Sequence, residues 1–508
     1  MQRLTRGISE CLFSALLIWM SSLPVLARDQ TLEQRGEYIA RAADCGSCHT
    51  APGGQPFAGG TPLKSAFGTI YGSNITPDPQ TGIGSWSKSD FERALRRGQR
   101  KDGTYLYPAM PYDSYTKMTA ADLDALWAYI HSRAPVKNQV PPTTLPFPLD
   151  IREGLAVWQS LYFKPGAFVP VAGKTAAWNR GAYLVEVLGH CTDCHTPRNV
   201  AQSLEQQHQL TGAQIEGWYA PDISGDPLST VSKRSPKELE VFLKSGVLPD
   251  NTKAVGPMQE VVQDSLRYLT VADIRAMVDY LKDQPGNAGP EHPTPVKYER
   301  LAAGMRVYQD QCSGCHQING KGIGESVPAL AGNDAVTASE PYNVVMSILV
   351  GFPAHGAWGA MASFAGVLND DQIADVTNYV RTAWGNSAPP NATPWSVQTL
   401  RANTPTPKSE THALLCPDLN ESVIKPALAL GADMLKQAAA DREKMAQAVA
   451  NYRAAVPTAS SAQVLEALST AYCKAIADDP VSDAMMNTRI VNFAQQASLT
   501  LSRTKPPN

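Results

Sequence analysis

Apolar residues recur at the helical spacing of three or four positions in three kinds of segment. The first kind precedes a cysteine pair, as "RGEYIARAAD" does before Cys45 and "RGAYLVEVLGH" before Cys191. The second kind stops at a glycine, as in "DFERALRRG", and the third follows a helix-capping residue, as in "TAADLDALWAYI". The three kinds follow one another in the same order three times, so the pattern predicts three helical repeats.

Residues that stop and cap helices occupy matching positions in the three repeats. The predicted stop residues are Gly98, Gly246 and Gly351. The predicted N-caps of the last helix are Thr119, Thr270 and Asn369, with Asp122, Asp273 and Gln372 three residues on, where a capping box would place its acceptor. One tyrosine falls at the same place in each last helix and is expected to pack there: Tyr129, Tyr280 and Tyr379.

A five-residue motif, C-x-x-C-H, follows the first helix of every repeat, as "CGSCH", "CTDCH" and "CSGCH". Its two thiols can add to the two vinyl groups of one porphyrin, and the histidine then lies beneath the iron, so the spacing predicts haem c. Shuffling the nine Cys and nine His of this chain would give about three such motifs per thousand sequences. The predicted attachment residues are Cys45, Cys48, Cys191, Cys194, Cys312 and Cys315, and the predicted proximal ligands are His49, His195 and His316.

Two other cysteine chemistries fit the motifs less well. A structural zinc site needs four ligands, normally with a second Cys/His pair nearby, and none of the motifs has one. A redox-active dithiol leaves the repeated histidine unexplained.

A methionine follows each stop glycine in loop-like sequence and is the predicted second axial ligand. Met110 and Met258 lie twelve residues after their glycines, and Met361 lies ten residues after its own. Thioether sulfur opposite imidazole raises the potential and fills the sixth position. In the third repeat His355 is the alternative ligand, which would give a lower potential. A backbone carbonyl, that of Pro328, is the expected partner of the His316 ring in this repeat.

The order helix, C-x-x-C-H, loop, helix, glycine, methionine, capped helix is that of a class I cytochrome c. The predicted fold is therefore mostly α, with three tandem cytochrome c domains at residues 28–140, 170–286 and 296–388. We call these segments the first, second and third repeat.

Residues 30 to 390 resemble the triheme cytochrome c subunit of membrane-bound periplasmic dehydrogenases. Beyond the haem motifs, the resemblance is carried by "SNITPDPQTGIGSWSKSDF", "YPAMPYDSYTKMT" and "CTDCHTPRN". It implies three covalently bound haem c groups, no substrate site, and a non-catalytic role in electron transfer. A partner flavin, quinoprotein or molybdenum subunit would oxidise an alcohol, aldehyde, gluconate or sugar, and electrons would cross the haems to ubiquinone.

The start of the chain predicts export. Arg3 and Arg6 precede the short apolar run "CLFSALLIWM", and "VLA" at Val25 to Ala27 suits a signal peptidase, as in a signal peptide of residues 1–27. The alternative is an uncleaved anchor, although the run is shorter than the ~20 residues that a span needs. Together with the resemblance, export implies the periplasmic side of the bacterial inner membrane, with membrane contact through a surface or a partner. The net charge of -3 and the lack of a basic tract predict no nucleic-acid partner.

The last hundred residues have no counterpart in that family. Residues 389–408 are proline-rich and predict a linker, and residues 409–508 predict a small all-α domain. Cys416 and Cys473 are expected to form a disulfide there, against the alternative of two free thiols. Whether the domain docks a partner or is a simple appendage stays open.

Two other functions remain compatible with the motifs. A free periplasmic electron shuttle fits the haems equally well but leaves the family-specific loops unexplained. A multihaem peroxidase or oxidase needs an open sixth site, which only the third haem could offer.

Overall fold

The computed structural model describes residues 31–65, 67–227, 229–250, 252–286, 298–322, 327–352, 361–404, 416, 421–481 and 483–503. The predicted signal peptide, residues 1–27, and the alternative ligand His355 lie outside these ranges. Helices dominate, which confirms the mostly α prediction, and the strands described form two short antiparallel hairpins. Within these ranges no helix combines the length and the apolar character that crossing a bilayer requires.

The first repeat contains five helices and one hairpin. These elements are α1 (Leu32–Ala42), α2 (Cys45–His49), β1 (Pro62–Ser65), β2 (Gly68–Tyr71), α3 (Lys88–Arg97), α4 (Tyr112–Tyr115) and α5 (Ala120–His131). The hairpin pairs Pro62 with Tyr71 and Ser65 with Gly68. A further helix, α6 (Gly154–Tyr162), lies between the first and second repeats.

The second repeat has the same order of elements. They are α7 (Ala176–Tyr183), which continues as a π-helical turn (Leu184–Leu188), α8 (Thr192–His195), a 3₁₀ turn (Gln206–His208), β3 (Ala213–Ile215), β4 (Trp218–Ala220), α9 (Thr230–Lys233), α10 (Pro236–Ser245), α11 (Pro257–Asp264), a 3₁₀ turn (Leu266–Tyr268) and α12 (Val271–Lys282). Its hairpin pairs Ala213 with Ala220 and Ile215 with Trp218.

The described part of the third repeat is helical, and six further helices are described after it. The helices of the third repeat are α13 (Tyr298–Gln311), α14 (Ser313–His316), α15 (Asp334–Thr337), α16 (Tyr342–Val350) and α17 (Asp370–Thr382). After them come α18 (Pro394–Asn403), α19 (Glu421–Leu428), α20 (Ala432–Ala440), α21 (Arg442–Ala455), α22 (Ser461–Ile476) and α23 (Asp483–Arg503).

The first and last helices of each repeat cross at a glycine of the first helix. A Cβ added to this glycine would overlap a backbone oxygen of the last helix, so only glycine permits the approach. The distance from the added Cβ to the carbonyl oxygen is 2.0 Å for Gly36 and Ala125, 1.9 Å for Gly181 and Ala276, and 2.1 Å for Gly304 and Asp375. The predicted tyrosines Tyr129, Tyr280 and Tyr379 pack at the same crossings, which confirms their packing role.

Helix ends follow the sequence prediction with two differences. Gly98 and Gly246 end α3 and α10 in the left-handed conformation, whereas Gly351 has a positive φ of 66° with an extended ψ of -172°. All three predicted N-caps accept a backbone amide hydrogen bond. A reciprocal capping box forms at Asn369 and Gln372. It does not form at Thr119 or Thr270, because the acidic residues there bind other groups.

Asp122 joins the first repeat to the second. Its carboxylate accepts hydrogen bonds from the Arg35 guanidinium of its own repeat, at 2.8 Å, and from the Tyr183 hydroxyl of the second repeat, at 2.7 Å. The Tyr183 hydroxyl in turn accepts from the backbone amide of Thr119, at 3.1 Å. Asp122 is only 3% exposed, so both partners compensate a buried charge.

Asp273 makes the same contacts in the opposite direction. It accepts from Arg180 of its own repeat, at 2.7 Å, and from the Tyr38 hydroxyl of the first repeat, at 2.6 Å, while Tyr38 accepts from the Thr270 amide at 3.1 Å. Each of the first two repeats therefore donates a tyrosine hydroxyl to the buried aspartate of the other, so the two sets of contacts are related by an approximate twofold symmetry. They also share one apolar cluster, which contains Ile39 and Leu184.

The third repeat lacks these interface residues and joins the second repeat differently. Ala303, Arg306 and Gln372 occupy the matching positions. Instead, the side-chain amide of Asn343 accepts from the backbone amide of Tyr219 in β4 and donates to its carbonyl, both at 2.9 Å. Arg234 binds Asp334 through two nitrogens, at 3.0 and 3.1 Å.

The predicted linker, residues 389–408, contains a helix that packs on the third repeat. Val397 and Leu400 of α18 are buried in the apolar cluster of that repeat. Arg401 binds Asp370 at 2.8 Å and also donates to the carbonyl of Leu368 at 2.9 Å. The proline-rich composition reflects helix starts and turns here, since Pro394 is the first residue of α18.

Helices α19 to α23 form a separate apolar cluster, which we call the C-terminal domain (residues 421–503). The structure joins Cys416 to Cys473 of α22, which confirms the expected disulfide. Glu466 lies half-buried on the same helix, and burial raises its pKa from 4.5 to about 7.

We expect Tyr183→Phe to lower the free energy of unfolding by about 1–2 kcal/mol, because it leaves the buried Asp122 carboxylate and the Thr119 amide each with one partner fewer. Urea unfolding of the full chain measures the loss. Tyr162→Phe, at an exposed tyrosine, is the matched control and should change little. A loss of the same size in both variants would contradict the interface role.

The stability of the C-terminal domain should fall as the pH rises from about 4.5 to about 7. The unfolded chain releases the Glu466 proton near its ordinary pKa of 4.5, whereas the folded domain keeps it until about 7. Glu466→Gln should therefore raise the melting temperature at pH 8 and leave it nearly unchanged at pH 4, as measured by scanning calorimetry. Glu443→Gln, at an exposed position, serves as the control. An equal effect at both pH values would argue against this titration.

Candidate haem attachment sites

Each C-x-x-C-H motif forms a single helical turn. The amide of His195 donates to the carbonyl of Cys191 at 3.0 Å, and that of His316 donates to Cys312 at 2.9 Å. None of the six motif cysteines is in a disulfide. The turn therefore presents two thiols and an imidazole from one short segment.

Burial keeps the motif thiols neutral. It raises the pKa of Cys45, Cys191 and Cys312 to about 12 and that of Cys315 to about 11. A thioether to a porphyrin is also uncharged, so these apolar surroundings suit the predicted attachment. A thiolate–zinc centre would need the opposite environment.

A backbone carbonyl holds one ring nitrogen of every motif histidine. The Nδ1 atoms of His49, His195 and His316 lie 2.7, 2.7 and 3.1 Å from the carbonyl oxygens of Ser73, Pro221 and Pro328, respectively. This contact fixes Nδ1 as the protonated nitrogen and leaves Nε2 as the one that can bind a metal. It confirms the expected partner Pro328.

Sequence reasoning missed the other two carbonyl partners, although a signal for them exists. Ser73 precedes Asn74-Ile75-Thr76, and Pro221 precedes Asp222-Ile223-Ser224. In both, the Asn or Asp side chain accepts the amide two residues on, at 3.0 Å for Asn74 and 2.7 Å for Asp222. This Asx turn shapes the loop behind each carbonyl.

The backbone carbonyl of each motif histidine is also hydrogen-bonded in the same way in all three repeats. It accepts from the amide of a glycine in the following loop. The pairs are His49 with Gly59 (2.8 Å), His195 with Gly212 (2.8 Å) and His316 with Gly322 (3.0 Å). All three glycines have a positive φ, a conformation that strongly favours glycine.

The three predicted methionine ligands are half-buried, whereas three neighbouring methionines lie in the core. Met110 and Met258 border the apolar cluster that Cys45 and Cys191 also border, and Met361 and Cys312 border the cluster of the third repeat. The other methionines near the predicted ligands are buried in the core: Met118 (1% exposed), Met277 (1%) and Met346 (5%).

The local structure at two of the methionines differs from the loops expected. Met258 is the second residue of α11, after Pro257. Met361 pairs with Phe352 in an isolated antiparallel bridge, with N–O distances of 2.8 and 2.9 Å. Met110 lies in a turn, as expected.

The ligand segments of the first two repeats pack against each other's motifs. Helix α11, which carries Met258, lies against α2 of the first repeat. Burial raises the pKa of Asp44 to about 7, with a contribution from Asp264 and Glu260 of α11. Conversely Tyr115, five residues after Met110, stacks edge-on with His190 beside the second motif, at 5.7 Å between ring centroids.

Two motif thiols of different repeats lie close enough to influence each other. Burial raises the pKa of Cys194 to about 12, and Cys48 and Glu216 add to the increase. Glu216 also contributes to the raised pKa of Cys48. The Glu216 carboxylate thus acts on the second cysteines of both motifs.

Trp218, which the sequence did not single out, lies between the ligand segments of the second and third repeats. A Cβ on Gly256, two residues before Met258, would lie 2.5 Å from its ring. The same ring lies 6.1 Å from that of Phe352, the bridge partner of Met361. An aromatic side chain thus connects the two segments.

Comparison with known proteins decides the family. The cytochrome c family profile matches residues 33–134 and 301–384. The chain is 40% identical over 417 residues to the gluconate 2-dehydrogenase cytochrome c subunit of Pantoea cypripedii, covering 76% of this chain and 94% of that protein. The chain belongs to the family of dehydrogenase cytochrome c subunits.

Two further relatives support this membership. The cytochrome c subunit of the alcohol dehydrogenase (quinone) of Komagataeibacter europaeus is 38% identical over 405 residues, or 73% of this chain and 85% of that protein. The fructose dehydrogenase cytochrome subunit of Gluconobacter japonicus is 38% identical over 392 residues, or 70% and 79%. The family resemblance inferred from the sequence is confirmed.

A dehydrogenase cytochrome c subunit carries covalently bound haem c, and the motifs of this chain fit that cofactor. Among the described residues, no group of three or more His, Cys, Asp or Glu side chains is arranged to hold a metal ion. The zinc alternative therefore finds no ligand set in that part of the chain.

Proposed function

We propose that the chain carries three haem c groups, one at each motif, in three tandem class I cytochrome c domains. The observation that carries this proposal is the repeated set of contacts: at all three motifs the histidine Nδ1 meets a backbone carbonyl and the histidine carbonyl meets a glycine amide. The second motif lies outside the residues that the family profile matches, yet it has the same contacts.

The residues of the chain have distinct tasks in this proposal. The six motif cysteines attach the cofactors, and His49, His195 and His316 offer Nε2 as the proximal ligand. Met110, Met258 and Met361 would provide the other ligand to the iron. When bound, haem c supplies a one-electron couple, and a filled sixth position keeps the ligand set unchanged during electron transfer.

We infer that the protein accepts electrons from a partner dehydrogenase of the flavin, quinoprotein or molybdenum type and passes them to ubiquinone. The relatives support this role, since their names assign them to gluconate, alcohol and fructose dehydrogenases. The proposed location is the periplasmic side of the inner membrane. The chain itself has no catalytic site in this proposal.

We expect Met110→Leu or Met258→Leu to lower the reduction potential of one haem while three haems stay attached, because leucine cannot replace the thioether on iron. Potentiometric titration followed by absorbance measures the shift. Met118→Leu and Met277→Leu, at buried methionines of the same two repeats, are the matched controls.

Unchanged potentials in both ligand variants would refute the methionine assignment. Cys45→Ala distinguishes attachment from ligation, since it should compromise haem attachment and folding of the first repeat rather than only shift a potential. The haem content per chain, determined as the pyridine haemochrome, reports this difference.

The partner is tested by affinity purification of the tagged protein from solubilised membranes, followed by mass spectrometry. We expect a stoichiometric flavin, quinone or molybdenum dehydrogenase, whose identity gives the substrate class. A triheme protein that comes alone at every salt and detergent condition would favour the free electron shuttle instead.

A further inference from the structure

The last helix of the C-terminal domain lies directly on the third motif. Helix α23 packs against α14. The contact is closest at Gly314, where an added Cβ would lie 1.8 Å from Cγ of Gln495. Next to it, Nε2 of Gln317 donates a hydrogen bond to the Ser498 hydroxyl at 2.8 Å. Glycine at position 314 is thus what allows the helix to approach.

The two cysteines of the third motif face different parts of the molecule. Cys312 borders the apolar cluster of its own repeat. Cys315 borders the cluster of the C-terminal domain, which includes Phe493, Ala494 and Ala497 of α23. The second attachment residue of this motif is therefore enclosed by a domain outside the repeat.

The other two motifs have different surroundings at these positions. Gly314 corresponds to Ser47 in the first motif and to Asp193 in the second. A Cβ added to Gly46, the neighbour of Ser47, would meet no atom within 4 Å. Cys45 and Cys191 of these two motifs border the apolar cluster that the first and second repeats share, not that of the C-terminal domain.

We propose that the C-terminal domain is a cover for the third motif, and that it shields the haem attached there from water and from external redox agents. The inference rests on the proposed function, because it requires haem c at this motif. Excluding water disfavours the oxidised iron, which carries the additional positive charge, so the cover raises the potential of that haem. It also keeps dissolved electron acceptors away from Cys315 and its attachment.

The test uses the full chain with Gly314→Ser. Serine already occupies this position in the first motif, so haem attachment should persist, but its side chain cannot coexist with Gln495 as placed. Gly154→Ser is the matched control, because it adds the same side chain at a helical glycine outside the motifs, where an added Cβ would meet no atom within 4 Å. Gln495→Tyr disturbs the same contact from the opposite side and leaves the motif unchanged.

Four quantities are measured: haem content per chain, amide hydrogen exchange of α23, the three reduction potentials, and the rate of oxidation by ferricyanide. In Gly314→Ser and Gln495→Tyr we expect three haems, faster exchange in α23, a fall in one potential, and oxidation of one haem that is several-fold faster. Gly154→Ser should change none of the four.

The outcomes separate the cover from the proposed function. Fewer than three haems in the unmodified chain would refute the triheme proposal itself. With three haems present, faster exchange in α23 without a change in potential or rate would overturn the cover. Unchanged exchange in both contact variants would overturn it as well, since the contact would then not hold the helix in place.

Discussion

The contact on which each repeat depends is the crossing of its first and last helices at a glycine. The two backbones approach so closely there that a Cβ added to Gly36, Gly181 or Gly304 would overlap an opposing carbonyl oxygen. The motif follows immediately after the first helix, so this crossing fixes where the thiols and the imidazole lie. A side chain at the crossing would separate the helices and displace the motif with them.

The first two repeats behave as one unit because their polar interface closes on itself. Each acidic residue, Asp122 or Asp273, is buried between an arginine of its own repeat and a tyrosine of the other. Across the same interface, helix α11 with Met258 lies against the first motif, and Tyr115 packs on His190 beside the second motif. The third repeat contacts the second through β4 and Arg234. The first and second repeats thus form a closely packed pair, and the third repeat is attached to it by different contacts.

The C-terminal domain gives the third repeat surroundings that the other two do not have. The residues matched by the family profile end at 384, and the domain lies beyond them. It borders Cys315, whereas helix α11 of the second repeat lies against the first motif. A chain built from three similar motifs thus provides different environments for them, and environment is one of the factors that set the potential of an attached haem.

Features that depend on local spacing could be predicted from the residues alone. C-x-x-C-H, the stop glycines, the N-caps and the packing tyrosines act within one helix or one turn, so the residues alone indicate them. Contacts between segments that are distant in sequence could be seen only in the folded chain. Asp122 matches a capping box locally, but Arg35 and Tyr183, far away in sequence, take its oxygens instead. The carbonyl partners of His49 and His195, and the helix that covers Gly314, likewise come from separate segments that only folding brings together.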